Sequence, residues 1–304
     1  MMGLINDEAA NMSDDKEDHS QLISWNSIIL VALGTAHLAF SQITSSLFVV
    51  AMAFFVGLDL VFPKMPDETE NGAARHQYLI HLTKIALIFF LVALAVILPT
   101  GYNIINRLAE GPAKNATDGL IQTELAIAFV LEGKNPYVEI YHDTILGDWK
   151  GGEPPWTNSP LFHFVYLPFL FLSSIPFFLL SKAFLGWYDQ RVLYIILFFA
   201  SLLLLPSLVR RQRQKLTIII LVGLNFLSAF FLADGRNDAV IFFGLLLTTV
   251  LLSKGHLKLS ALILGLTLMT KHQAWFFLPF SSTTFTSRGP LAGQSITNAI
   301  ITPR

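Results

Sequence analysis

The sequence predicts an all-α integral membrane protein: a multi-spanning helical bundle of about eight hydrophobic segments, with one large outer loop carrying an amphipathic helix. Three observations lead there. Hydrophobic residues make up 53% of the 304 residues and charged ones only 13%, with a mean hydropathy of +0.58; a water-facing surface needs more charge. The apolar residues come in blocks near the ~20 that a ~30 Å hydrocarbon core requires. Lysine and arginine gather in a few short connections between those blocks.

In chain order, residues 1–21 are acidic and lack the basic start of a cleaved signal peptide, so they read as a disordered tail. Residues 22–77 hold two spans, Leu22–Phe40 and Leu47–Phe62, an N-terminal extension in which nothing suggests chemistry. A core over 78–280 follows: a span at Tyr78–Pro99, a polar outer loop over 101–160, then Leu161–Leu180, Val192–Val209, Leu216–Leu232, Ala239–Leu252 and Leu257–Pro279. Residues 281–304 form an atypical polar tail.

Orientation follows from the basic residues. Arg210, Arg211, Arg213 and Lys215 mark a cytoplasmic connection, and Lys254 and Lys258 agree with it two crossings later. Ala233–Asp238 then faces outward, and the Lys64–Arg75 connection, read as cytoplasmic as well, puts the 101–160 loop outside. Two full crossings between that loop and the arginine cluster give the wrong parity. One segment must therefore be re-entrant or interfacial, and Leu161–Leu180, interrupted by Pro168 and Pro176, is the expected one.

Composition excludes some classes. There is no cysteine, hence no disulfide framework or thiolate chemistry, and a net charge of -1 gives no sign of nucleic-acid binding. No His/Asp/Glu spacing predicts a metal site, and no cofactor is implied.

Within the loop, Thr117 or Asp118 can cap a helix running to about Glu132, which Gly133 and Pro136 then stop. Glu124 falls on its apolar side with Leu120, Ile121, Ile127 and Leu131, so the helix should dock on the spans or lie on the bilayer. A carboxylate at a helix start suits general-base work, and equally a plain N-cap; Asp118 fits both. Asp238 has the same two readings before Ala239–Leu252. Lys271 sits between apolar runs, where an ionisable group costs ~2.5–3.5 kcal/mol and is functional by default, or else snorkels to the interface. His142 and Asp143 read as solvated surface, and Trp156 and Tyr166 as headgroup anchors.

The runs TDGLIQTELAIAFVLEGKNPY and PPWTNSPLFHFVYLPFLF, then ADGRNDAVIFFGLLL and LKLSALILGLTLMTKHQAWFFLPF, together resemble the GT-C glycosyltransferases. The likeness is greatest to the bacterial branch that uses polyprenyl-phosphate mannose, and it covers about Val96 to Phe280. Asp118, Leu131, Gly133, Asn135, Pro136 and Tyr137 match its outer-loop pattern, Gly235 to Asp238 its outer Gly-x-x-Asp, and Gly265 to Pro279 its later Lys-bearing helix. The resemblance implies inverting transfer of mannose on the outer face of a bacterial plasma membrane, from a polyprenyl-phosphate donor to a glycan, lipid or protein acceptor. By the same likeness Asp118 is the base, and Lys271, Arg236, Asp238 and His272 bind the donor. Glu124, Asn135 and Tyr137 support the loop. It also implies further spans beyond the Lys-bearing helix, so the polar tail reads as the end of a shortened chain.

Two other classes stay open. One is a transporter or flippase of a lipid-linked or small polar substrate, which would use intramembrane charge and broken helices. The other is an inactive truncated remnant.

Overall fold

The computed structural model describes residues 24–40, 45–62, 74–149 and 159–279, and within them every regular element is helical. The acidic tail, most of the Lys64–Arg75 connection, Trp156 and the polar tail lie outside the described residues. Two helical stretches, His76–Glu110 and Arg191–Leu208, are long and apolar enough to cross a bilayer; Gln212–Gly223 with Phe226–Asp234 makes a third if that bent pair is one span. The other apolar helices are shorter, 10–17 residues.

The chain divides into two compact units. The first comprises the described part of residues 1–95 together with Arg211–Phe226. Here α1 (Trp25–Phe40), α2 (Ser45–Val61), α3 (Ala74–Val92) and α9 (Gln212–Gly223) form a ring in which α1 packs on α2, α2 on α3, α3 on α9 and α9 on α1. Leu30, Phe48, Phe55, Ile88, Leu216 and Ile220 fill the middle. The ring is not purely apolar. Lys84 and Asp59 form a buried ion pair at 2.7 Å; Asp59 also accepts from Ser24 and, at 2.6 Å, from Ser27, and Lys84 donates to the Phe62 carbonyl at 2.9 Å. The sequence reading, which saw no chemistry in the first two spans, missed this pair.

α3 does not stop at Pro99. It passes through a π-turn (Ala93–Ile97) into α4 (Leu98–Glu110). Proline lacks the N–H for an α bond and crowds the carbonyl four residues back; the wider turn before Pro99 accommodates both defects and the helix runs on. The polar loop therefore begins at Gly111, ten residues later than expected.

The second unit comprises Val96–Arg210 and the chain from Leu227 onward. Its centre is α11 (Asp238–Ser253), flanked by α8 (Arg191–Leu204) and α12 (Leu257–Leu268). α11 and α12 approach so closely at Gly244 that a Cβ there would overlap the Thr267 hydroxyl. The loop helix α5 (Asp118–Leu131) packs Leu120, Ile121, Ala126 and Ile127 into a core with Tyr141, Leu146, Leu161, Phe164 and Phe171. Leu161–Leu180 is not one helix. It is a 3-10 turn, an irregular stretch, α6 (Phe169–Leu172) and the start of α7 (Ile175–Leu185). The Gln122 amide holds the irregular part by donating to the carbonyls of Pro160 and His163, each at 2.7 Å.

Candidate functional site

The site grows from two turns. Thr117 caps α5 by accepting the Leu120 N–H at 3.3 Å, which puts Asp118 at the first helical position. α5 ends in a Schellman motif: Lys134 N–H reaches Phe129 O at 2.8 Å and Gly133 N–H reaches Val130 O, with Gly133 at φ +75°. α10 (Phe226–Asp234) ends the same way, with Arg236 N–H on Phe231 O at 2.8 Å and Gly235 at φ +90°. Asn237 then precedes α11, so Asp238 also takes a first helical position. The sequence GRND is thus a helix stop and a helix start with nothing between.

These turns meet. A Cβ on Gly235 would overlap Leu120, and a Cβ on Gly119 would overlap the Tyr166 hydroxyl. Together with the break after α12 they enclose a cavity of about 590 Å³, lined by Asp118, Asp234, Arg236, Asp238 and Lys271, with Tyr166, Trp149 and Gln273 among its other walls. Lys271 donates to Asn237 Oδ1 at 3.0 Å and to Asp238 Oδ1 at 3.2 Å, and its ammonium lies 5.7 Å from the Tyr166 ring centroid. Arg236 pairs with Asp234 at 2.9 Å and covers the Phe231 ring. Trp149 donates its indole N–H to Ala116 O at 2.8 Å, fixing the wall before Asp118.

Lys271 is not inside a helical span as expected. α12 ends at Leu268, Lys271 is extended at φ −159°, and a 3-10 helix (His272–Phe277) follows. The break lets the side chain turn to the cavity while the main chain of Thr270 and Met269 accepts from Leu167 and Phe169 at 3.1 and 2.9 Å.

Among the remaining predicted residues, His272 is exposed, edge-on to Trp275 at 4.9 Å, and does not line the cavity. Asn135 accepts the Tyr137 N–H at 3.1 Å in a local turn, and Tyr137 donates to Tyr166 O at 3.0 Å, linking the end of α5 to a cavity wall. Burial raises the Tyr137 phenol above its ordinary pKa. Glu124 is outside the cavity too. It takes two hydrogen bonds from Arg107, at 3.0 and 2.8 Å, and one from Gln190 N–H at 2.9 Å.

That contact opens a buried network that sequence reasoning missed. Arg107 also donates to Asp189 at 2.9 Å, and Asp189 accepts from Arg191 at 2.8 and 2.7 Å. Burial alone would raise the Asp189 carboxyl; its bonds to Arg191 and then Arg107 outweigh burial and hold it below the usual range. Burial pushes Glu124 up, and Arg107 offsets only part of that. The available signal was the pair Asp189 and Arg191 at the mouth of the apolar run VLYIILFFASLLL, where unpaired charge is costly.

With carboxylates and cations both lining it, the cavity can hold an anionic group beside hydroxyls and offer a carboxylate as proton acceptor. Among the described residues no cluster of three His, Asp or Glu side chains is arranged to hold a metal ion. No family model, no curated protein and no solved structure matches the chain.

Proposed function

We propose that this chain is a multi-spanning membrane glycosyltransferase that uses a polyprenyl-phosphate sugar, mannose by resemblance, at the outer face of a bacterial plasma membrane. In this reading Asp118 takes the proton of an acceptor hydroxyl as its oxygen bonds to the anomeric carbon. The anomeric carbon–oxygen bond to phosphate breaks on the opposite side, giving inversion, and the lipid phosphate leaves with the electron pair. Lys271 and Arg236 face its growing charge, and Asp238 orients both Lys271 and the sugar. The acceptor is a glycan, lipid or protein hydroxyl.

The observation that supports this most is the gathering of Asp118, Arg236, Asp238 and Lys271, drawn from three separate parts of the sequence, on one cavity of about 590 Å³. That size lies within the ~300–1,000 Å³ of small-ligand sites. The irregular stretch before α6 fits a segment that enters the membrane without crossing it.

The test is consumption of labelled polyprenyl-phosphate mannose by membranes carrying the chain, beside Asp118→Asn. The reading expects turnover by the parent and a loss of about 10²-fold or more in the variant. Equal turnover by both would remove Asp118 as the base. No turnover by either, with both inserted and folded, would turn the reading toward a transporter or an inactive chain.

A further inference from the structure

Arg191 is fully buried at the first position of α8. The pair with Asp189 satisfies its buried charge, but the guanidinium also bonds main chain outside α8. Nε and Nη2 are clamped by the two oxygens of Asp189, which fixes the plane of the group. Nη1 is left free of Asp189 and donates to Asn115 O at 2.8 Å and Ala233 O at 3.2 Å. Asn115 lies three residues before Asp118, and Ala233 three before Arg236. The same nitrogen therefore holds the two main-chain segments that lead into Asp118 and Arg236, both of which line the candidate site. Asp189 is itself held from behind by Arg107, which Glu124 grips in turn. Asn103 adds a second donor on Ala233 O, at 2.9 Å.

We infer that Arg191 is a positioning residue: a clamp that sets the distance between the Asp118 turn and the Gly235–Asp238 turn, and so between the proton acceptor and the cations that face the leaving phosphate. The positioning role rests on the transferase reading; the registration of the two turns does not. A lysine at 191 keeps the charge but has no planar fork, and one ammonium cannot be clamped by Asp189 and span both carbonyls at once. Misplacing a reacting group by ~1 Å costs on the order of 10²-fold in rate.

The experiment uses the full chain in detergent or nanodiscs and compares the parent with Arg191→Lys by amide hydrogen exchange and by donor turnover. The expected result is exchange at least tenfold faster in 112–119 and 234–237, with 240–252 within about twofold of the parent. Turnover should show kcat falling about 10²-fold while the donor KM stays within about threefold. Unchanged exchange in both turns overturns the inference whatever the activity does. Faster exchange throughout, or failure to fold, also overturns it, because Arg191 would then serve the fold as a whole. The expected exchange pattern with no turnover by the parent keeps the clamp and sinks the transferase reading. A second variant, Asn103→Leu, removes only the neighbouring donor to Ala233 O; its effect should be confined to 234–237, and equal loosening of 112–119 would overturn the inference.

Discussion

The hydroxyl of Thr117 donates to the carbonyl of Gly235 at 3.3 Å, across 118 positions of sequence. This bond joins the residue that caps α5 to the residue that stops α10. Each of those residues is adjacent to a charged one, Asp118 and Arg236, so a contact between a cap and a stop also fixes the spacing of functional groups. Close approach is possible because position 235 has no Cβ. Glycine serves there twice, for its positive φ and for the space that Leu120 fills.

Gly235→Ala should therefore be costly. A side chain at φ +90° that also overlaps Leu120 should lower stability by about 1–3 kcal/mol. Gly101→Ala is the matched control. Gly101 lies within α4 with nothing within 4 Å of its added Cβ, and alanine there should stabilise by about 0.5–1 kcal/mol. Thermal unfolding of both variants in one detergent reads the difference; equal melting temperatures would refute the close-packing account.

Lys271→Met removes an ammonium that bonds both Asn237 and Asp238. The transferase reading expects the donor KM to rise about tenfold or more, the equivalent of one charge-assisted hydrogen bond to the phosphate. Lys271 is partly exposed, so its loss should leave the melting temperature within a few degrees. Unchanged KM with reduced stability would make Lys271 a structural tie between α11 and the break after α12.

Much of this was legible in the sequence where local chemistry decides. Thr117, Gly133 and Pro136 mark the ends of α5 because caps and stops act within a turn. The all-helical class follows from composition and block length. Chain interruptions were read less well. Pro99 suggested a helix end, but a π-turn absorbs it, while the apolar runs on both sides of TKHQ, with no proline or glycine between them, hid the break at Lys271. Tertiary partners were not legible at all. Nothing near Glu124 in sequence points to Arg107 or Gln190, and Asp59 and Lys84 sit in separate apolar blocks whose pairing depends on how the helices pack.

The Asp189 cluster predicts a pH dependence. Its folded-state carboxyl lies below its ordinary value of 3.8. The unfolded chain therefore binds the proton more readily, and stability from this group is complete above about pH 4 and is lost as pH falls through the lower folded value. Glu124, raised by burial, works in the opposite sense and cannot supply that acid loss. Asp189→Asn should destabilise by about 3–5 kcal/mol at neutral pH, as expected for breaking a buried pair. The gap to the parent should narrow progressively below about pH 4, as the parent's unfolded chain takes up the proton first and its folded carboxylate follows at lower pH. Denaturant unfolding at pH 7 and pH 3 measures it; a gap of the same size at both would exclude Asp189 as the source.

The Asp59–Lys84 pair sets the last expectation. Both side chains are nearly inaccessible, and Asp59 is further bonded by Ser24 and Ser27. Breaking such a pair leaves a bare charge in an apolar ring, so Asp59→Leu or Lys84→Met alone should cost about 3–5 kcal/mol. The double variant removes both charges and replaces them with apolar bulk, which is often neutral or stabilising. Recovery of most of the loss in the double variant would show that the pair is a structural substitute for apolar packing between α2 and α3. If the double variant is as unstable as the singles, the serines and the Phe62 carbonyl left without partners carry the cost instead, since unsatisfied buried polar groups cost ~1–3 kcal/mol each.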